Sequence, residues 1–535
     1  MAVDSPDPGE HVAGSTPAWG WWLAVGGLGL LVTSIVALSG PGRIDIIDGQ
    51  ARYLVAQSLV DHGEPTIRDE TFWFSVLPGR DGKRFSSYRC PHILAGVPAI
   101  LLADATGPEA ETRREFFFTQ VGAVVAGVMA VVYALWFRAL GHSPAQALGW
   151  ALAGIVCTPS WYYATSTFDD ILGTLFVVSA VVSAWWGGRG CRPLLGATTA
   201  GLLIGLAFNS KPPLAIVVLP ALALVLTAQR PWPMRIGSGA LIVGGLALGL
   251  VAYEAYEWCK FPPETRAAHA SLLAVYLPAW PGNTAAGLCG LLLSPAAGVF
   301  WYCPTLLLSL YGLVRWRQGE PWFCAGMAIA AAVFVAFIST MSFYKGDLSW
   351  GPRYLTPIFA LLWLFAPAAA AAWPRRLTAG LLTLGLVVQL LGLSVDPLRL
   401  YVTHRLPSGY FGGREWIHFE PELSHLVTRP REILEIWQDD GTGTTAFCAD
   451  PLPTSTRLLL EEIDNGPEAV RKYRYLSSYR PWWVSQAWLS PADRPVVLGE
   501  SVRLLLLGAG IGIMLIGTGL ALRVRSTGSP AGVHA

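Results

Sequence analysis

Apolar runs of about twenty residues recur along this chain, each long enough to carry a helix across a hydrocarbon layer of roughly 30 Å. Inside lipid every backbone N–H and C=O must be paired within its own segment, so these runs are helices. An outer-membrane barrel would instead show ten-residue strands of alternating polarity, and no such alternation is visible. Composition agrees. Of 535 residues, 53% are hydrophobic and 14% are charged, against roughly 25% charged in soluble domains. The chain is therefore read as an all-α polytopic membrane protein, and a soluble enzyme is excluded. A formal net charge of +1 points to no nucleic-acid partner.

The blocks run over 19–38, 116–137, 145–163, 170–187, 194–208, 213–228, 236–253, 297–314, 322–341, 354–373, 377–395 and 501–522, which makes about twelve spans. The first lacks a basic leading region and a clear small-residue cleavage site, so it reads as a retained span and not a signal peptide. Arg138, Arg189 with Arg192, Arg230 with Arg235, Arg315 with Arg317, Arg375 with Arg376, and Arg523 with Arg525 fall in alternating loops. The positive-inside rule makes that side cytoplasmic, and the tails 1–18 and 523–535 go with it. The N-terminal tail has no basic residue and the first outer loop is rich in arginine, so the orientation rests on the six short segments. The membrane domain then covers 19–396, with a long outer loop at 39–115. A polar outer segment at 397–500, carrying Glu461, Glu462 and Asp464, precedes the last span at 501–522 and reads as a small extracytoplasmic appendage.

The 8 cysteines form no CxxC pair and no dense framework. Cys157, Cys191, Cys289, Cys303 and Cys324 sit in or beside apolar blocks and read as small core residues. Cys90, Cys259 and Cys448 fall in outer loops, and nothing supports a disulfide among them.

Ionisable groups near the membrane are functional candidates, and here they gather at outer helix ends. After the first span comes Arg43-Ile-Asp45-Ile-Ile-Asp48-Gly-Gln-Ala-Arg52-Tyr53. Apolar residues at 47, 51, 54, 55 and 59 keep helical spacing up to a stop at Gly63, the pattern of an amphipathic helix lying on the outer leaflet. Asp48 opens that helix and Arg52 follows one turn later on the same face. Asp48 is either a capping residue or a carboxylate able to take a proton or orient a hydroxyl. Lys83-Arg-Phe-Ser-Ser-Tyr-Arg89-Cys-Pro-His92 leads into a second interfacial helix, with Arg89 at a phosphate site or in a headgroup-binding patch. Phe168-Asp169-Asp170 marks an outer turn. Two adjacent carboxylates are not expected to face one small site together, so one would bind hydroxyls or a metal while the other caps a helix. In Asn209-Ser-Lys211-Pro-Pro, a lysine interrupts apolar chain and either snorkels or pairs with an anion. In Tyr344-Lys345-Gly-Asp347-Leu-Ser-Trp-Gly-Pro-Arg353-Tyr354, Arg353 offers a planar fork for phosphate and Lys345 a point charge; the plainer reading is an aromatic-belt loop with a structural salt bridge. Together these signals suggest an outward-facing site for a lipid-attached anion.

With these residues in hand, the chain resembles the superfamily of GT-C membrane glycosyltransferases, which includes the aminoarabinose transferases, protein O-mannosyltransferases and RgtA/B/C/D-like proteins. The resemblance covers roughly residues 19–395. It lies in the long first loop with Ile-Ile-Asp48-Gly-Gln-Ala-Arg52-Tyr, in Asp169-Asp170, in the Ser-Lys211-Pro turn, in Trp-Gly-Pro-Arg353-Tyr-Leu, and in the run from Gly290 to Pro304. It implies a GT-C-like fold in the plasma (inner) membrane, with the site facing the periplasm or exterior. It further implies a polyprenyl-phosphate sugar donor, hexosyl or pentosyl, and an envelope lipid, glycan or protein acceptor, among membrane lipids. Transfer would be inverting, with Asp48 (alternatively Asp45) as the base, Asp169 or Asp170 holding acceptor or sugar, and Arg52, Arg89, Lys211, Lys345 and Arg353 meeting the phosphate. Many relatives carry Asp-Glu or Asp-x-Asp in the first loop; its lack here argues against an obligatory metal, so no cofactor is required, with a divalent metal left as the open alternative. The rival readings are a twelve-span secondary transporter and a non-catalytic envelope-assembly protein. Against the transporter stand the long first loop and the lack of an evident inverted repeat or mid-membrane charged pair.

Overall fold

The computed structural model describes residues 19–106, 110–190, 192–267, 284–341, 344–346, 349–400, 419–438, 480–481 and 494–527. Among these, eight helices are long and apolar enough to cross a membrane: Trp19–Ser39, Arg113–Ala139, Asp170–Arg189, Pro193–Ser210, Trp232–Lys260, Pro321–Ser339, Arg375–Ser394 and Ser501–Ala521. The chain is an all-α polytopic membrane protein.

The other four expected spans are present as interrupted helices, and proline accounts for most of the breaks because it removes a donor and clashes with the preceding turn. The block at 145–163 divides into Pro144–Val156 and Ser160–Ala164 on either side of Pro159. The block at 213–228 opens as a 3-10 turn, Pro212–Val217, before Val218–Leu226. Around Pro304 the chain splits into Val299–Tyr302 and Leu306–Trp316. The block at 354–373 becomes Thr356–Trp363 and Ala366–Ala370. A further helix, Thr284–Leu293, lies outside every expected block. The last helix begins at Arg494, ahead of the expected 501.

The first outer loop folds as α2 (Ile47–His62, following α1, Trp19–Ser39), a short hairpin of β1 (Val76–Pro78) and β2 (Arg84–Ser86), α3 (Cys90–Ala105) and α4 (Ala110–Thr119). Both stretches expected to form interfacial helices are helical; the hairpin and α4 were not legible. Tyr53, Val55 and Ala56 of α2 pack with Ile93 and Ile100 of α3 and with Phe118 of α4. Arg114 ties the three together, pairing with Asp61 at 3.0 Å and Asp104 at 2.6 Å. This small core gives α2 a rigid seat on the bundle.

Within the membrane, helices gain no hydrophobic energy against one another and associate through close packing at small residues. Toward the Ser210 end of Pro193–Ser210, a Cβ on Gly205 would meet the Gly245 carbonyl at 2.6 Å, so the helix Trp232–Lys260 can lie directly on it. Asn209 then bridges the two, donating to the carbonyls of Gly205 (2.9 Å) and Gly249 (2.7 Å). That contact fixes the end from which Lys211 projects. Cys157, Cys303 and Cys324 are buried as expected, but Cys289 is exposed, and Cys90 and Cys259 are unbridged; Cys191 and Cys448 lie outside the described residues.

Asp170 and Arg189 stand at opposite ends of one helix of 20 residues, about 30 Å apart at 1.5 Å per residue. Arg189 pairs with Glu320 and Arg230 donates to the Gly190 carbonyl, so three of the arginine-bearing loops meet at the end away from Asp170. Most of the appendage expected at 397–500 lies outside the described residues. Its described part includes the helix His425–Gln438, whose His425, Arg429 and Glu432 are buried.

Candidate active site

At the Asp170 end of the bundle, away from Arg189, five chain segments meet around a cavity of about 220 Å³ lined by Asp48, Arg52, Ser87, Tyr88, Arg89, Asp169, Ser210, Lys211, Arg353 and Tyr354. Four cations and two carboxylates thus share one small space. Burying that many charges is costly unless each is paired or hydrogen-bonded, and the contacts show how this is met.

Arg52, one turn beyond Asp48, is 3% exposed; it reaches Asp169 at 3.5 Å and donates to the Thr167 carbonyl at 3.2 Å. Its guanidinium lies 4.4 Å from the centre of the Tyr88 ring. Lys211 follows the end of its helix, where an extended backbone turns the side chain back to Asp169 (3.2 Å) and Asp170. Arg353 lies 3.8 Å from Asp170, over the Phe168 ring at 4.0 Å, and donates to the Tyr354 hydroxyl at 2.7 Å. Arg89 donates to the Phe208 carbonyl at 3.1 Å and sits 4.5 Å from the Tyr253 ring centre. Aromatic faces therefore flank every cation, a geometry that favours a positive charge screened from water.

Asp48 does not cap its helix: Ile46 occupies that position and no side chain caps it. The Asp48 carboxylate instead faces the Tyr88 hydroxyl. Burial, and then the Asp48 charge, push the Tyr88 hydroxyl above its ordinary range, so it stays protonated and can donate. Burial alone would raise the Asp169 carboxyl, but the charges of Arg52 and Lys211 outweigh it and hold that group below the usual carboxylate range.

Several expectations need correction. Asp169 and Asp170 do not divide into a binding residue and a cap: both contact Lys211, Asp169 lines the cavity, and Asp170 is 1% exposed behind it. Lys211 therefore pairs with carboxylates of the chain itself and does not simply snorkel. Asp45 is not at the cavity, because both of its oxygens are engaged elsewhere, with Thr167 and Arg480. Lys345 is fully buried and does not line the cavity; its carbonyl accepts the Arg353 N–H at 3.0 Å. His92 turns away, edge-on to Phe118. Asp347 lies outside the described residues.

Tyr88 and Tyr354 were not singled out from sequence, although each adjoins an arginine that was. Lys260 was missed altogether. It is 1% exposed, pairs with Glu257 at 2.7 Å, and donates to the Ser86 carbonyl at 3.1 Å, latching the hairpin that carries Ser87, Tyr88 and Arg89. No metal-binding group of three or more His, Cys, Asp or Glu occurs among the described residues.

A second, apolar cavity of about 380 Å³ lies between helices, lined by Leu288, Phe300, Leu310, Val335, Leu355 and Phe359 among others. Leu355 follows Tyr354 in the chain, so one stretch of backbone contributes a residue to each cavity.

No family model matches this sequence, and no curated protein matches it by sequence. Among solved structures, the chain is similar in shape to ArnT from Cupriavidus metallidurans bound to undecaprenyl phosphate. The identity is 14% and the TM-score 0.44, over 96% of this chain and 79% of that one.

Proposed function

We propose that this protein is a membrane glycosyltransferase that moves a hexosyl or pentosyl group from a polyprenyl-phosphate carrier to an envelope lipid, glycan or protein on the extracytoplasmic face. The observation that carries the reading is the cavity in which Asp48 faces Arg52, Arg89, Lys211 and Arg353. With Asp170 paired to Lys211 and Arg353 behind the wall, three carboxylates stand against four cations and leave one positive charge for an anion, and the cations are of the kind that grip phosphate, a fork from arginine and a point charge from lysine. The apolar cavity, which shares the Tyr354–Leu355 stretch of backbone with it, suits a chain of hydrocarbon entering from the bilayer. Three of the arginine-bearing loops gather at the far end of the bundle, which by the positive-inside rule supports an outward-facing cavity in a plasma (inner) membrane setting.

In the proposed reaction an acceptor hydroxyl attacks the anomeric carbon from the face opposite the phosphate. Its proton passes to the Asp48 carboxylate as the new C–O bond forms. The bond to the phosphate oxygen breaks with its electron pair, inverting the centre, and polyprenyl phosphate leaves. The fixed cations meet the charge that grows on that oxygen, where they cost no reorganisation. Tyr88, held protonated, orients Asp48. Asp169 lies across the cavity to hold sugar or acceptor hydroxyls. A phosphate leaves readily, so the chemistry invokes no cofactor.

The test is to compare envelope lipids, glycans and proteins by mass spectrometry with and without the gene, then to offer purified protein in nanodiscs a labelled polyprenyl-phosphate sugar and the acceptor so found. Loss of one sugar decoration and its restoration in the purified system support the reading. An unchanged envelope, together with uptake of a solute into vesicles without chemistry, overturns it in favour of transport.

A further inference from the structure

Asp45 and Arg480 are separated by 435 positions, yet they pair at 3.0 Å with side chains 4% and 0% exposed. The Arg480 guanidinium also lies 4.2 Å from the Tyr162 ring centre, and its backbone N–H donates to the Ser394 carbonyl at 2.9 Å. Beside it, Arg43 pairs with Asp396 at 3.2 Å. The first outer loop, the exit of the helix Arg375–Ser394 and one residue of the long outer segment are thereby joined through buried charge.

Asp45 does more than neutralise Arg480. Its second oxygen accepts from the Thr167 N–H (3.0 Å) and from the Thr167 hydroxyl (2.8 Å). The Thr167 carbonyl in turn accepts from Arg52, and Arg52 pairs with Asp169. A carboxylate held by three donors has its rotation fixed, so the turn leading into Asp169 is fixed with it. Glycine at 49 permits the closeness this needs, since a Cβ there would overlap the Thr167 side chain.

We propose that Asp45 is a positioning residue for the cavity and that Arg480 completes it from the outer segment. Seating of Arg480 locks Asp45 onto Thr167, and that contact sets Arg52 and Asp169 across from Asp48. Without Arg480, one oxygen of a buried carboxylate loses its partner, Asp45 reorients, and the turn at Thr167 is released. The outer segment is thus part of the frame of the site. The effect on turnover rests on the glycosyl-transfer reading; the anchoring of the turn does not.

Full-length protein in nanodiscs carrying Arg480→Gln, Arg480→Lys, Asp45→Asn, Thr167→Val or the Arg480→Gln/Asp45→Asn pair tests this. Three readouts are taken: binding of undecaprenyl phosphate, turnover of a labelled polyprenyl-phosphate sugar, and amide exchange in peptides spanning 165–170. Arg480→Gln and Asp45→Asn are each expected to lower turnover by about tenfold to a hundredfold, the scale of a misplacement near 1 Å. Exchange in 165–170 rises in both. Undecaprenyl phosphate binding changes less than turnover, since Arg89 is held by Phe208 and Tyr253, away from this turn, and Lys211 and Arg353 project from other elements. The double variant is no worse than the worse single one, as for residues acting along one path, and Arg480→Lys recovers part of the loss. Wild-type turnover and exchange in Arg480→Gln, or losses that multiply in the double variant, overturn the proposal. If Arg480→Gln does not fold, Thr167→Val decides: unchanged exchange in 165–170 contradicts the anchoring. If the wild type neither binds the phosphate nor transfers sugar, the glycosyl-transfer reading fails, and exchange still decides whether Arg480 holds the turn.

Discussion

Lys211 stands between two consecutive carboxylates, 3.2 Å from Asp169 and in direct contact with Asp170. A single cation thus ties the cavity wall to a residue buried behind it, and that sharing explains how adjacent aspartates can coexist at one site.

Removing the shared cation should therefore be severe. In Lys211→Met, the ion pairs left among the described residues are Asp170 with Arg353 and Asp169 with Arg52. Breaking a buried pair on one side costs about 3–5 kcal/mol, at the lower end here because Lys211 retains 24% exposure. Lys211→Arg should recover most of the stability and less of the function, because a planar fork replaces a point charge. Thermal unfolding in detergent, alongside undecaprenyl phosphate binding, checks both.

Gly49 is where α2 approaches the turn at Thr167. Gly49→Ala places a methyl group into the Thr167 side chain, and overpacking of that kind costs about 1–3 kcal/mol. Gly26→Ala, with nothing within 4 Å of the new Cβ, should be neutral within about 0.5 kcal/mol. A similar fall in melting temperature for both variants would contradict the close approach.

The Asp169 carboxyl is held below its usual range, with burial opposed and outweighed by Arg52 and Lys211. A carboxyl whose folded pKa lies below its unfolded value, about 3.9, stabilises the protein above that pH and loses the contribution as pH falls further. Asp169→Asn should then be destabilised at neutral pH, and the gap to wild type should close below about pH 4. A gap that is constant with pH would mean that Asp169 is not held by these charges.

Sidedness can be read with thiols. Cys259 is exposed at the Lys260 end of its helix, the end that latches the hairpin. A chain keeping Cys259 alone should react with a membrane-impermeant maleimide in intact cells. One whose single cysteine is Arg189→Cys should react only after permeabilisation. The reverse pattern would turn the site to the cytoplasm.

Apolar length alone was enough to reveal the spans, because lipid leaves a backbone of this kind only the helix. It failed where proline cuts a helix, as at Pro159 and Pro304, since hydropathy does not register a missing donor. The site was legible as residue types at outer helix ends: Asp48, Arg52, Arg89, Asp169, Lys211 and Arg353 do line one cavity. What was not legible were relations across long separations. Asp45 and Asp48 look alike in sequence, and it is Thr167 and Arg480, both far along the chain, that engage Asp45 and set it apart. Lys345 carries the same charge as Lys211 yet is turned into the protein, which depends on the turn at Gly346 with φ 78° and leaves no mark in composition.

The most direct measurement is turnover by Asp48→Asn of a labelled polyprenyl-phosphate sugar, compared with its affinity for undecaprenyl phosphate. The substitution keeps shape and one acceptor oxygen but cannot take a proton, so turnover should fall by about 10²–10⁴-fold while the phosphate still binds. Turnover within a few-fold of wild type, with binding intact, would show that Asp48 is not the base and would contradict the account at its centre.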